Sequence, residues 1–567
     1  MVEFDLVIRG GTVIDGSGAP RYSADLGVRG NRIESIGVVR GKGKREVNAE
    51  GHIVTPGFID GHTHMDAQMF WDPHGTSSCW HGVTTAVLGN CGFTLAPSRR
   101  DERSLVIDNL VRAEDIPAEA LAAGLEFRWE TFGEYMDVLD SLPKGINVAT
   151  YIGHSALRTY AMGHSAFSDV ASQADLEMMK CELWDALSAG AVGLSTSRSD
   201  HHLTPAGTPV ASRVAAWEEV DFLVEVLAEF GAGVFELSNE TIMTSSDAGL
   251  RAEAIFRLKQ LAIKHRVPTT FGVTTYGDPN RWRDLLSMMD EAALEGAQMW
   301  GQSSCQPSGA VYNFETWLPF DKIPEWRDFR KLPLSEQKLL IGNKDVRRRL
   351  VEAVHDDNFA LGKETVSSSI FDRLIVMAEA GKYSDSIATI ANARGTHPVE
   401  AMLDLMIESD FRILFFQATS NDVFEDVRAI LEHPRTVMTF SDAGAHVSQI
   451  INASLPTHLL SVWVRERKVF TLEHAISMLT LTPAQIWGFS DRGLLRKGYV
   501  ADINIIDPEL ISERIPEVRH DLPAGAVRLT QEAVGYQTTI VNGQVVLEGG
   551  VPTGNLPGVL LRAGRPH

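Results

Sequence analysis

The sequence of 567 residues predicts an α/β protein, a (β/α)8 TIM-like barrel joined to a small β-sandwich domain built from both chain termini. Three observations predict it. Eight short apolar runs alternate with helix-like stretches through the middle of the chain. Strand-and-turn patterns occupy both ends. Several residues able to bind a metal fall directly after predicted strands, where such barrels carry their chemistry.

The amino-terminal strands come first. Residues 6–8 run into Gly10-Gly11, residues 12–14 stop at Asp15-Gly16, and residues 26–29 and 32–34 flank Gly30-Asn31, a two-residue hairpin signal. At the far end, residues 539–541 and 544–546 flank Asn542-Gly543, which suits a type I′ turn. Each end alone is thin for an independent core, so residues 1–54 and 490–567 are expected to share one composite β-domain.

Between them, residues 57–60, 85–88, 148–152, 191–194, 233–237, 269–273, 298–300 and 436–440 read as strands, and residues 175–187 and 218–230 as two of the intervening helices. The barrel is therefore expected over residues 55–489. The long connection before the last strand carries helical patterns, such as residues 344–354, and reads as a helical insertion at about 305–430, placed as a lid.

Composition narrows the function. Seventy-four acidic against 52 basic residues give a net charge of −22, which argues against nucleic acid or an anionic membrane as partner. Four cysteines without CxxC spacing exclude a disulfide scaffold and a zinc ribbon. No signal peptide and no apolar run of about 18 residues is evident, so a cytoplasmic protein is expected, and composition says nothing about its chemistry.

Asp60-Gly61-His62-Thr63-His64 follows the first strand, and alternate side chains of an extended stretch point the same way, so both histidines can share one ion. With 18 histidines, chance alone supplies roughly 0.6 such pairs, so its position after a strand gives it weight. Cys91, in Gly89-Asn90-Cys91-Gly92, follows the second strand; it is a small hydrophobe or a thiolate ligand able to bridge two ions. Asp442, in Phe440-Ser441-Asp442-Ala443-Gly444, follows the eighth strand, which neighbours the first in a closed barrel, and is a candidate base for a metal-bound water or an ordinary turn or cap residue.

Taken together these segments resemble the amidohydrolase superfamily and its branch of N-acyl-D-amino-acid deacylases. The resemblance is also carried by Thr55-Pro56-Gly57-Phe58-Ile59-Asp60 before the histidine pair, by Gly190-Ala191-Val192-Gly193-Leu194-Ser195-Thr196 and by Arg492-Gly493-Leu494-Leu495-Arg496-Lys497-Gly498. It implies a zinc-dependent hydrolase of amide bonds with His62, His64, Cys91 and Asp442 around the metal. Such deacylases usually add a histidine after strand five and another after strand six. Residues 234–240 and 269–276 contain none, so one zinc ion is expected, and a second would need substitutes such as Glu236, Asn239, His201 or His202.

The remaining candidates are read from position. Arg198 follows the fourth strand and can hold a substrate carboxylate or serve the structure. His154 and Arg158 follow the third strand; His154 either helps polarise the substrate carbonyl or makes an internal hydrogen bond, and Arg158 is a substrate-binding candidate. His446 is weighed as a partner of Asp442, and His201-His202 as a solvated loop pair. The expected substrate is an N-acyl-D-amino acid or similar N-acyl amine. The alternatives are a cyclic amide or imide, a carbamate or another amide, and, less favoured, an inactive binding member of the family. Oligomeric state is open, though a homo-oligomer fits such architectures.

Overall fold

The computed structural model describes residues 2–277, 279–354, 370–377 and 385–563. It is an α/β fold whose parallel strands pair in chain order. Phe58–Asp60, Val83–Leu88 and Asn147–Thr150 form one parallel sheet. Ile152–Gly153, Gly193–Arg198, Val234–Glu240, Thr269–Gly272, Met299–Ser303 and Thr436–Met438 form another, in that order.

The two sheets share the stretch around Tyr151, whose amide donates to Leu88 O at 3.0 Å while Val192 N donates to Thr150 O at 2.9 Å. At the opposite seam the last strand's continuation meets the first. Thr63 and Ala443 form a parallel bridge, and Gly61 N donates to Thr439 Oγ1 at 2.7 Å. That hydroxyl donates in turn to the buried Asp60 carboxylate at 2.9 Å. Apolar side chains Ile59, Val87, Ala149, Val192, Val234 and Val437 gather around Trp487, whose indole donates to the Tyr151 hydroxyl at 2.8 Å. A side chain at Gly61 would meet the Trp487 ring at 2.1 Å, so glycine is required there.

The helices between strands follow amphipathic spacing. Gln173–Ala189 buries Met179, Leu183, Ala186 and Leu187; a capping box of Ser172 with Asp175 opens it, and Gly190, at φ 108°, closes it. Trp217–Phe230, Ala248–His265 and Arg281–Leu294 continue the alternation. Between the first two strands the rhythm fails, because only the short turns Gln68–Phe70 and Ser78–His81 lie there.

Both chain ends meet in one nine-stranded sheet, in which Ile53–Pro56 lies between Val2–Val13 and Ile503–Ile506. The Asn542-Gly543 turn has φ 47° and 78°, the left-handed pair a type I′ hairpin needs. This sheet is fastened to the parallel strands by the buried Asp502, which accepts from Arg492 at 2.7 Å, Asn147 at 3.0 Å and Asn542 N at 2.8 Å.

The long connection is not purely helical, contrary to expectation. It holds an antiparallel sheet of Ser308–Tyr312, Leu414–Ser420 and Leu374–Met377, with helices such as Pro324–Arg330, Lys344–Glu352 and Pro398–Glu408. Phe314, Phe320, Trp326 and Phe415 form part of its own core. The lid expected there also spans residues 355–369 and 378–384, which lie outside the described residues. Among the described residues no helix is long and apolar enough to cross a membrane.

His81 ties this architecture to pH. Fully buried, it faces Thr457 Oγ1 at 2.8 Å and Gln531 O at 3.0 Å, and burial pushes its imidazole down to about 4. Held neutral when folded and free to protonate near 6.5 when unfolded, it contributes stability above pH 6.5 that is lost as pH falls towards 4. The expected outcome is that unfolding free energy falls between pH 6.5 and 4 by roughly 3 kcal/mol more in the wild type than in His81→Gln. Urea titrations at both pH values check this; equal losses in the two proteins would contradict it.

Candidate active site

The Gly89-Asn90-Cys91-Gly92 segment is a tight turn with three left-handed residues, Gly89 at φ 74°, Cys91 at 58° and Gly92 at 82°. A side chain at Gly89 would meet Tyr151 O at 2.7 Å, and one at Gly92 the Thr196 backbone at 3.2 Å. Asn90 braces the turn by donating to Thr63 O and Val87 O, at 3.0 and 2.8 Å. The result is a cysteine in strained backbone whose sulfur lies 3.6 Å from His62 Nε2.

His62, His64 and Cys91 present ligand atoms within 4.8 Å of one another, and all three side chains are buried. Asp442 Oδ1 joins from the last strand's loop, 3.2 Å from His62 Nε2 and 3.6 Å from His64 Nε2. Tetrahedral ligands about 2.0–2.3 Å from zinc stand about 3.3–3.8 Å apart, so the separations of 3.2–3.6 Å fit one such ion. The His64 Nδ1 atom has no hydrogen-bond partner, and its Nε2 faces the cluster. Imidazole, thiolate and carboxylate are the donor set zinc takes.

The orientation of His62 is fixed from behind by Glu236, a wholly buried carboxylate on the fifth strand. Its Oε1 lies 2.9 Å from His62 Nδ1, its Oε2 accepts from Cys91 N at 3.0 Å, and Gln302 Nε2 donates to it at 3.2 Å. With Nδ1 protonated towards this carboxylate, Nε2 is the nitrogen left for a metal. Glu236 therefore supports the ligands and is not the substitute ligand weighed from sequence.

Charge in the cluster is tightly coupled. Burial disfavours the charged form of Asp442, yet the imidazoles of His62 and His64 hold its carboxyl far below the usual range. Burial likewise opposes protonation of both histidines, but Glu236 and Cys91 at His62, and Glu114 at His64, outweigh it and raise both.

A cavity of about 550 Å³ opens on this cluster, lined by His64, Cys91, Glu114, His202, Asn239 and Asp442 among others. Ser308, Lys322, Thr419 and Ser420 of the long insertion form part of its wall. The Asn239 amide oxygen is buried without a partner, an acceptor available to a ligand N–H. Arg281 also lines the cavity.

Three expected site residues lie elsewhere. His154 is buried between Thr196 Oγ1 at 2.9 Å and Glu219 Oε1 at 2.8 Å, and burial lowers its imidazole. Arg158 is fully buried against the same Glu219 and the carbonyls of Ala166 and Asp169. Arg198 pairs with Glu240 at 2.9 Å and donates to Ala215 O. All three are committed to interior partners, which corrects their assignment as catalytic or substrate-binding groups. Conversely His202, read as solvated, turns into the cavity with burial pushing it down to about 3, while His201 is the exposed member of the pair. Glu114, in the turn after helix Arg103–Val111, gave no sequence signal; no spacing links it to the other residues.

The model of the amidohydrolase family matches residues 45–547. The chain is 27% identical to the D-aminoacylase of Alcaligenes xylosoxydans xylosoxydans, across 98% of this chain and 97% of that one. It is 29% identical to the N-acyl-D-glutamate deacylase of the same organism, across 99% and 97%. It is also similar to the crystal structure of N-acyl-D-glutamate deacylase from Bordetella bronchiseptica complexed with zinc and a phosphonate inhibitor, with a TM-score of 0.64, 26% identity and coverage of 99% and 100%. The chain belongs to the amidohydrolase family, in its D-aminoacylase-like branch, and is a hydrolase of carbon–nitrogen bonds other than peptide bonds.

Proposed function

We propose that the protein is a zinc-dependent deacylase that cleaves the amide of an N-acyl-D-amino acid or a closely similar N-acyl amine. The convergence of His62, His64, Cys91 and Asp442 at one end of a 550 Å³ cavity is the observation that carries this reading. The relatives named D-aminoacylase and N-acyl-D-glutamate deacylase, matched along almost their whole length, support the substrate class. In this reading the parallel strands close as a (β/α)8 barrel over residues 55–489. Residues 1–54 and 490–567 form the composite β-sandwich domain. The seam through Gly61, Thr63, Thr439 and Ala443 supports the closure.

His62, His64, Cys91 and Asp442 would hold the ion. Held by these residues, zinc would make hydroxide available at neutral pH and would polarise the scissile carbonyl. The chain's own groups do the rest. Asp442 is partly open to the cavity, its side chain 35% exposed, and its carboxylate accepts the proton of the attacking water. The same carboxyl then returns that proton to the departing amine nitrogen, without which the tetrahedral adduct would revert. Glu236 keeps His62 in the tautomer whose Nε2 faces the site. Asn239 offers its free amide oxygen to the substrate N–H. The insertion contributes Ser308, Lys322, Thr419 and Ser420 to the wall beside the bound amide.

The absence of histidine after strands five and six favours one rival, hydrolysis of a cyclic amide or imide, since specificity can change along with the metal surroundings. A panel of N-acetyl-D- and N-acetyl-L-amino acids, cyclic imides and aryl amides separates the two. Turnover is expected on the N-acetyl-D compounds, and activity confined to cyclic imides would reverse the assignment.

Two further outcomes are expected. Asp442→Ala lowers kcat by at least about 10²-fold, with metal retained through His62, His64 and Cys91; steady-state kinetics beside metal analysis checks both halves. Dialysis against a chelator abolishes hydrolysis and readdition of zinc restores it. Undiminished activity of the chelated, metal-free chain would remove the metal from the mechanism.

A further inference from the structure

We propose that Arg281 holds the carboxylate on the amine half of the substrate and, together with Asn239, selects the handedness of the carbon that carries it. The inference rests on the proposed deacylase function and names a specificity residue for it. No strand-end position and no segment of the family resemblance points to this arginine.

Pairing is the first support. Five arginines are buried among the described residues: Arg158, Arg251, Arg281, Arg492 and Arg528. Four of them meet a carboxylate, Glu219, Asp284, Asp502 and Asp72 respectively. Arg281, 5% exposed, has no carboxylate partner among the described residues. Of the five N–H donors of its guanidinium, one on Nη1 reaches Tyr276 O at 3.1 Å, and Nε is buried without a partner. Burial, aided by the like charge of Arg251, pushes the group down to about 10, so it stays cationic at neutral pH. A buried cation without a counter-charge is strongly disfavoured, and an anionic ligand supplies what the chain does not.

The surroundings are the second. Arg281 lines the same cavity as His64, Cys91 and Asp442. It opens helix Arg281–Leu294, whose amino end adds partial positive charge. Lys322 of the insertion lies on the same wall and is ion-paired with none of the described residues. The two carboxylates of the cavity, Glu114 and Asp442, stand instead beside His62 and His64. Charge is thus divided along the wall, acids with the histidines and cations away from them. A substrate with a neutral amide and one carboxylate matches that division, and guanidinium takes a carboxylate bidentately.

Strand order is the third. Asn239 lies on the fifth strand, which pairs in parallel with the sixth, and Arg281 follows the sixth. An N-acyl amino acid carries its N–H and its carboxylate on one carbon, so contacts from neighbouring strands suit both. With the carbonyl at the histidine cluster, the N–H at Asn239 and the carboxylate at Arg281, three points are fixed. The side chain and hydrogen of that carbon cannot then exchange without loss of a contact.

Matched substrates test this. The N-acetyl-D-amino acid that turns over fastest is compared with its L-enantiomer and with its D-carboxamide, in which the carboxylate becomes a neutral amide, by acetate release. The wild type is expected to favour acid over carboxamide by at least about 10²-fold in kcat/KM. Arg281→Met is expected to bring that ratio to within about tenfold of unity, chiefly through KM for the acid, and to narrow the D-over-L ratio. Arg281→Lys restores part of both. A purely structural arginine would lower acid and carboxamide alike and leave the ratio in place, which would overturn the proposal. So would a wild type indifferent to the carboxylate, a result that needs no variant, or a ratio that survives Arg281→Met and collapses in Lys322→Met. In each of those cases N-acyl hydrolysis itself stands. A wild type that cleaves no N-acetyl-D-amino acid would overturn both readings.

Discussion

The centre of this protein depends on a single buried carboxylate. Glu236 sits on the fifth strand with no exposure to solvent, a position in which an unpartnered charge would cost several kcal/mol. It is retained because three donors from three other strands or their turns converge on it: His62 Nδ1, Cys91 N and Gln302 Nε2. Each contact fixes something different. The first sets the tautomer of a ligand, the second holds the backbone of another, and the third ties in the seventh strand. Replacing this residue by an apolar one of similar size would keep the packing and release the ligands.

The outline of the fold was legible because strand and helix periodicities differ, and each of the eight expected strands has its counterpart. The errors at their ends share a physical cause. The fourth strand was read as residues 191–194 and is Gly193–Arg198; the fifth was read as 233–237 and is Val234–Glu240. Hydrophobicity stops marking a strand where its residues turn polar, and these strands turn polar at their carboxyl ends. Ser195, Thr196 and Ser197 are nonetheless fully buried there. Their hydroxyls serve interior hydrogen bonds, Ser195 with Gly92 N of the cysteine turn and Thr196 with His154, so buried polar contacts erase the pattern by which a strand is read. In the insertion, residues 308–312 begin Ser-Gly-Ala, too little apolar character to announce a strand.

The site was legible where sequence neighbours act together and illegible where they do not. His62 with His64 is a two-residue spacing on extended backbone, and Cys91 is framed by glycines. His154, Arg158 and Arg198 have equally suggestive positions after strands. What removes them from the site is Glu219 in helix Trp217–Phe230 and Glu240 at the end of the fifth strand, acids whose contact with them exists only in three dimensions. The same holds in reverse for Glu114 and His202, whose proximity to Cys91 no spacing encodes.

The Gly89-Asn90-Cys91-Gly92 turn shows how backbone strain and charge are coupled. A left-handed cysteine costs about 1–2 kcal/mol, because its Cβ crowds the following carbonyl. The flanking glycines carry the other left-handed angles without that penalty, and Asn90 fastens the turn to Thr63 and Val87. What remains is offset in part by the hydrogen bond from Cys91 N to Glu236 at 3.0 Å. Relaxing Cys91 to ordinary backbone would re-aim its side chain and move its sulfur away from His62 Nε2, from which it stands 3.6 Å. The left-handed backbone aims the sulfur and the buried carboxylate holds the amide, and the position of the thiolate is the product of both.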